Sequence, residues 1–159
     1  MVDDAGSPPP TLYEWAGGDD ALARLIDCFY DRIEHDELIS PLFPGGVSRQ
    51  HRDHVSAWWQ EVFGGPARYS NDLGGYTRMV DKHRDLGISV EQRRRFAETM
   101  SVAADDAGLP ADPEFRSALV AYLEWGTRLA MGNSQPGADV VAHAPVPRWG
   151  WGEAPPFEG

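Results

Sequence analysis

The sequence has little from which a disulfide, a membrane span or a nucleic-acid interface could be built. Cys28 is the only cysteine, so no intrachain disulfide can form. No apolar run approaches the roughly 18 residues that a membrane span needs. The 14 basic residues stand against 25 acidic ones, and the formal charge of −11 repels phosphate backbones. The only basic run, residues 93–95, covers successive faces of a predicted helix, so we expect it to be solvated. These features predict a protein with no nucleic-acid partner and no membrane association.

What is present is enough apolar material for one domain with its own core. The chain has 159 residues, of which 42% are hydrophobic. Residues 1–10 are acidic and proline-rich, so we expect a flexible leader rather than a secretory signal, and a cytoplasmic location. Residues 11–133 are the predicted globular domain. Residues 134–159 hold five prolines together with Trp149, Trp151 and Phe157, and they are either a disordered extension or a segment whose rings dock on the domain or on a partner.

Helical periodicity of the apolar residues, with no alternating strand pattern, predicts an all-α domain. The expected N-caps are short polar side chains: Asp19 or Asp20, Ser48, Ser89 in a capping box with Gln92, and Asp112. Residues 67–78 are predicted to form a loop. The following segment, residues 79–84, is too short to be a stable helix by propensity alone.

The five histidines are the candidates for metal or acid–base chemistry. His35 and His143 are expected to be exposed. His51 and His54 lie three residues apart on one predicted helix, a spacing that can chelate a metal, but no acid or cysteine plainly converges on them. His83 lies on the short segment 79–84, which a metal bond could hold in place because binding free energy then becomes folding free energy. Spacing alone leaves His83 open to either interpretation, exposed histidine or metal ligand.

Several short motifs between Thr11 and Asn133, in order and at compatible spacing, resemble the truncated haemoglobins of group II. They are Gly17-Gly18, Phe29-Tyr30, Leu42-Phe43-Pro44, Gly64-Gly65-Pro66 followed by Arg68-Tyr69-Ser70, Lys82-His83 followed by Gly87-Ile88-Ser89, and Tyr122-Leu123-Glu124. The resemblance implies a shortened globin fold, a two-over-two helical sandwich that encloses haem b and its iron.

The resemblance also implies roles for single residues. His83 would bind the haem iron on one side and leave the other axial position open. Tyr30 would donate a hydrogen bond to dioxygen, whose outer atom carries partial negative charge. His51 takes the position of a gating or donor residue that is often small in group II. Phe96 stands where group II proteins usually carry a tryptophan, and it has no N–H donor.

The other implied cofactor contacts are apolar side chains and two polar ones. They are Phe43 stacked on the porphyrin, Lys82 and Tyr69 on the propionates, and Val55, Met79, Leu86, Ile88 and Phe96 as apolar walls. Trp58 and Trp59 on the preceding helix are expected to replace part of the bulk that a tryptophan at position 96 would supply.

The implied function is a haem-binding globin that binds O2 reversibly, and NO, CO or peroxide as further ligands. A donor-rich pocket favours redox chemistry or ligand scavenging over bulk transport. An alternative is a peroxidase-like or nitric-oxide-detoxifying enzyme that takes electrons from an unidentified reductase, since the sequence encodes no reductase domain. A more distant alternative is a non-haem helical module that binds a partner through the C-terminal aromatic residues. The oligomeric state, with a homo-oligomer among the alternatives, stays open.

Overall fold

The computed structural model describes residues 10–141 and 143–148, and every regular element within them is helical. The elements are α1 (Leu12–Ala16), α2 (Gly18–Ile33), a 3-10 turn (Ser40–Leu42), α3 (Arg49–Val62), α4 (Arg68–Asp72), α5 (Gly75–His83), α6 (Val90–Asp106) and α7 (Pro113–Asn133). The predicted all-α class is therefore confirmed. In the described part of the chain, no helix is both long enough and apolar enough to cross a membrane.

The core is formed where two pairs of helices cross. Helix α2 packs against α3 and α6, and α6 packs against α7, as a two-over-two globin requires. One face of α2 supplies the centre of this core through Leu22, Leu25, Ile26, Phe29 and Ile33, none more than 1% exposed. Full burial of such a side chain contributes about 1.5–3 kcal/mol. This face fixes the rotation of α2 and buries Tyr30, which is 2% exposed.

Most of the expected helix caps are present. Ser48, Ser89 with Gln92, and Asp112 all make their capping hydrogen bonds. The expected cap of α2 is wrong, because Gly17 is the N-cap residue, with a φ of +113° that favours glycine. The carboxylate of Asp19 instead accepts a hydrogen bond from the Tyr13 hydroxyl at 2.7 Å.

The stretch from residue 67 to residue 83 is more helical than predicted. Helix α4 lies inside the expected loop, and α5 begins at Gly75 rather than at Met79. The Glu61 carboxylate on α3 accepts a hydrogen bond from the Ser70 backbone N–H at 2.9 Å, and this contact holds α4 against α3. Such support comes from the preceding helix, so the periodicity of residues 67–78 alone could not indicate it.

Arg93 is also placed differently from the prediction. Its side chain is buried rather than solvated, and its Nη1 lies 3.1 Å from a Glu124 carboxylate oxygen and 3.2 Å from the Thr127 hydroxyl. The basic run therefore contributes one residue that joins α6 to α7.

The N-terminal and C-terminal parts of the described chain meet at Gly65, just after α3. A Cβ atom at Gly65 would lie 2.6 Å from the Tyr13 ring and 2.7 Å from the Gln60 carbonyl oxygen, so only glycine fits. From the other side, the Arg148 guanidinium donates to the Gly65 carbonyl at 3.0 Å, and Val146 is 7% exposed. The described part of the C-terminal segment thus docks on the domain. Residues 1–9 of the expected leader, and Trp149, Trp151 and Phe157, lie outside the described residues.

Candidate functional site

A hydrogen bond joins Tyr30 on α2 to His51 on α3, with 3.0 Å between Tyr30 Oη and His51 Nε2. Phe43, just after the 3-10 turn, completes an aromatic triangle with them. Its ring centroid lies 5.6 Å from that of Tyr30 and 5.5 Å from that of His51. The structure thus brings together three residues that the sequence placed around one ligand pocket.

Arg52 sets the register between α2 and α3 and so supports this pair. Its side chain is 12% exposed and donates to the carboxylates of Asp31 at 2.8 Å and Glu34 at 3.2 Å. It also donates to the Asp27 carbonyl at 3.2 Å. The central guanidinium carbon lies 5.9 Å from the centroid of the Tyr30 ring, within cation–π range. Sequence reasoning missed Arg52, because its acidic partners lie on α2 and at the C-cap of that helix, and helical spacing does not indicate pairing between two helices.

Both members of the Tyr30–His51 pair are uncharged at neutral pH. Burial raises the pKa of Tyr30 far above its usual value. Burial also lowers the pKa of His51; the charge of Lys82 lowers it further, as do His54 and His83 when they are protonated. A neutral imidazole carries one N–H. When that N–H is on Nε2, it donates to the Tyr30 oxygen and leaves the Tyr30 O–H available to a ligand.

His83 is the last residue of α5, and its imidazole is half-buried. Its Nδ1 lies 2.7 Å from the Met79 carbonyl oxygen. Because a carbonyl oxygen only accepts, Nδ1 carries the proton and Nε2 keeps its lone pair. Burial lowers the pKa of His83, and the hydrogen bond to the Met79 carbonyl opposes that effect. His83 is therefore a neutral imidazole whose ring is oriented by the hydrogen bond from Nδ1 and whose Nε2 is free to bind a metal. This is the usual state of a metal-binding histidine.

The predicted apolar walls are neither fully buried nor fully exposed. Phe43, Val55, Met79 and Phe96 are half-buried and pack against the edge of the core, and Ile88 is half-buried as well. Phe96 meets Phe29 edge to face, with 4.5 Å between ring centroids. Leu86 is 44% exposed and lies outside this packed group. Partly exposed apolar side chains, together with one neutral imidazole, fit a flat apolar group that carries a single metal ion.

Cationic side chains gather near these residues in a chain of net charge −11. Lys82 is exposed, and Arg78 lies one turn earlier on α5. Burial lowers the pKa of His54, and the charges of Arg78 and Lys82 lower it further. Burial raises the pKa of Tyr69, and the positive charge of Arg78 partly offsets this rise. Tyr69 therefore lies near the same cationic side chains. Sequence reasoning named Lys82 and Tyr69 for anionic groups of the cofactor but missed Arg78.

Trp58 and Trp59 use their rings in other contacts. Trp58 packs against Tyr69 with 5.3 Å between ring centroids, and Trp59 stacks on Phe63 at 5.2 Å. The aromatic ring that packs against Phe96 is that of Phe29 and not that of either tryptophan. In residues 10–141 and 143–148, no group of three or more His, Cys, Asp or Glu side chains could hold a metal ion, so His51 and His54 have no third ligand there.

Comparisons with known proteins agree with this site. The sequence matches the family model of the bacterial-like globins over residues 11–126. The group 1 truncated hemoglobin of Nostoc sp. is 31% identical over 103 residues, which are 64% of this chain and 82% of that protein. The group 2 truncated hemoglobin of Bacillus subtilis is 28% identical over 111 residues, 70% of this chain and 81% of that protein.

A solved structure is similar over nearly its whole length. The crystal structure of the hemoglobin from Chloroflexus aurantiacus matches with a TM-score of 0.67 at 32% identity, covering 77% of this chain and 98% of that one. The predicted resemblance to truncated haemoglobins is confirmed, with relatives in both group 1 and group 2. The chain belongs to the bacterial-like globin family and is a truncated haemoglobin, which binds haem iron and diatomic ligands.

Proposed function

We propose that His83 is the protein ligand of the haem iron and that Tyr30 and His51 face the bound diatomic ligand. The observation that carries this assignment is the hydrogen bond from His83 Nδ1 to the Met79 carbonyl, because it leaves Nε2 as a preformed metal ligand. Lys82, Arg78 and Tyr69 are proposed to hold the carboxylates of the haem, and Phe43, Val55, Met79, Leu86, Ile88 and Phe96 to line its apolar faces.

The haem iron supplies the bond to a diatomic ligand, and the chain supplies the donors around that ligand. The buried Tyr30 hydroxyl donates to the ligand, while its own oxygen accepts from His51 Nε2–H. The hydrogen bonds from His51 to Tyr30 and from Tyr30 to the ligand polarise each other in a buried pocket, so the Tyr30 hydroxyl becomes a stronger donor. Phe96 offers no donor, so Tyr30 and His51 are the polar groups on which ligand retention depends.

This donor arrangement favours tight ligand holding, and we therefore propose redox chemistry or ligand scavenging rather than bulk O2 transport. Electrons would come from a separate reductase. A cytoplasmic location accords with the single cysteine, because proteins of reducing compartments seldom rely on disulfides.

The test is the absorption spectrum of the purified protein in the ferric, dithionite-reduced and CO-treated states, compared with His83→Ala. We expect a Soret band that shifts with CO in the wild type and is lost or strongly altered in the variant. His35→Ala is the matched control, since His35 is exposed just after α2 and its Nδ1 contacts the Asp31 carbonyl of that helix. A His83→Ala spectrum identical to that of the control would refute the ligand assignment.

A peroxidase-like activity is the second candidate, and the neutral His51 imidazole favours it. A neutral imidazole can accept a proton from hydrogen peroxide through an unprotonated nitrogen, so this activity requires the other His51 tautomer, with the proton on Nδ1 and the lone pair on Nε2. We expect the ferric protein to oxidise a reducing dye with peroxide faster than free haem does. His51→Leu should slow this turnover, whereas His54→Leu, one turn further on α3, should not. Equal rates for the two variants would exclude His51 as the base.

A further inference from the structure

The turn that follows His83 has few hydrogen bonds of its own. Within residues 84–88, the Arg84 N–H reaches the Asp81 carbonyl at 3.4 Å and the Leu86 N–H reaches the His83 carbonyl at 3.3 Å. Both distances lie beyond the usual range for N–H donors. Asp85 adopts a left-handed φ of +59°, uncommon for a residue other than glycine. The 84–88 turn therefore needs support from outside.

That support comes from Ser134 and Gln135 at the end of α7. The Gly87 N–H donates to the Ser134 carbonyl at 2.8 Å. The Ile88 N–H donates to the Ser134 hydroxyl at 3.0 Å, and the Ile88 carbonyl accepts from the Gln135 side-chain amide at 2.9 Å. Both backbone groups of Ile88 are thus bound by neighbouring side chains of one segment.

The two side chains are themselves held in place. The Ser134 hydroxyl donates to the Met131 carbonyl at 2.7 Å, and the Gln135 amide reaches the same carbonyl at 2.9 Å. Ser134 is completely buried. A buried hydroxyl that both donates and accepts is fully used, so its loss leaves the Ile88 N–H without a partner. Ser134, the C-cap residue of α7, and Gln135 are thus both tied to the last turn of that helix through the Met131 carbonyl.

We propose that Ser134 and Gln135 are positioning residues for His83. They fix the 84–88 turn and, through it, the C-terminal end of α5 on which His83 stands, so they set where the imidazole meets the iron. This inference rests on the proposed role of His83 as iron ligand. It assigns a function to the start of the C-terminal segment, which lies beyond residues 11–126 of the family match.

The test uses the full-length holoprotein with Ser134→Ala and Gln135→Glu. Gln135→Glu keeps the side-chain length but removes the N–H donor, and because Gln135 is exposed it remains informative if Ser134→Ala does not fold. Ser117→Ala, an exposed serine on the same helix, is the control. The readouts are hydrogen exchange at the amides of Gly87 and Ile88, the iron–histidine stretching band in resonance Raman spectra of the reduced protein, and the rate of haem transfer to a haem acceptor.

We expect both variants to shift or broaden the iron–histidine band, and Ser117→Ala to leave it unchanged. Ser134→Ala should speed exchange at the Ile88 amide about fivefold to tenfold, as the loss of one hydrogen bond implies. Haem transfer should accelerate about fivefold in each variant. Faster exchange with an unchanged band and unchanged haem transfer would overturn the inference, because the pair would then be structural only. A wild-type protein without an iron–histidine band would refute the assignment of His83 itself, and with it this inference.

Discussion

Removing the Tyr30 hydroxyl should weaken retention of O2 far more than retention of CO. In Tyr30→Phe the ring keeps its packing against Phe29 and Phe43, with centroid distances of 4.8 Å and 5.6 Å, so the change is confined to one hydrogen-bonding group. A hydrogen bond to a partly charged acceptor is worth on the order of 1–3 kcal/mol. If all of it is expressed in dissociation, O2 leaves roughly 5- to 150-fold faster. CO carries little charge on its outer atom, so we expect its dissociation rate to change by less than about threefold.

Stopped-flow displacement of each ligand measures these rates, and His51→Leu supplies the second side of a double-mutant cycle. If His51 Nε2–H donates to the Tyr30 oxygen, His51→Leu speeds O2 release modestly, about two- to fivefold. In the Tyr30→Phe background the same substitution should then have little further effect. Equal O2 dissociation rates for wild type and Tyr30→Phe would refute the role of the tyrosine. Slower O2 release from His51→Leu would show that Tyr30 donates to His51 and not to the ligand.

Three further perturbations follow from the packing and charges of the domain, each measured by urea unfolding of the apoprotein. Arg52→Met should lower the free energy of unfolding by about 1 kcal/mol, because the Arg52 side chain is 12% exposed although its carboxylate partners are 32–69% exposed. Arg49→Met should cost less, because the Arg49 side chain is 61% exposed. Gly65→Ala should lower the free energy of unfolding by about 1–3 kcal/mol, because the new Cβ overpacks its surroundings. Gly132→Ala should raise it by about 0.5–1 kcal/mol, because this glycine lies in a helix and no atom lies within 4 Å of the new Cβ. Folding lowers the pKa of the site histidines, so between these lowered pKa values and about pH 6.5 the unfolded chain binds more protons than the folded one. The free energy of unfolding should therefore fall as the pH drops from about 6.5 to the lowered pKa values. Equal urea midpoints for Arg52→Met and Arg49→Met, or for Gly65→Ala and Gly132→Ala, would contradict the argument for that pair. A wild-type midpoint that rises on acidification would contradict the argument from the histidines.

The sequence was informative wherever a structure depends on neighbouring residues. Ser48, the Ser89 capping box and Asp112 each act on backbone groups two or three residues away, and all three caps are present. The apolar face of α2 likewise follows from helical spacing alone. Such features are encoded within one turn of helix, so inspection of a short window is enough to find them.

Features that depend on contacts between different helices were missed. Helix α4 is held by Glu61 from the preceding helix, and Arg93 is buried because Glu124 and Thr127 face it from α7. Neither partnership leaves a local trace in the sequence. In the site, the resemblance to a family supplied Tyr30, His51 and His83, while the supporting contacts of Arg52 and Arg78 required three-dimensional placement.

The meeting point at Gly65 has a consequence for the order in which the protein folds. The contact between Arg148 and Gly65 spans 83 residues of sequence, so its closure costs far more chain entropy than a helix or a helix–helix corner does. Contacts of long sequence separation contribute little until the elements between them have formed. The docked C-terminal segment should therefore be added late, to an already assembled helical sandwich, and should be the first part to detach on unfolding. The helical sandwich would thus be complete before residues 143–148 dock on it.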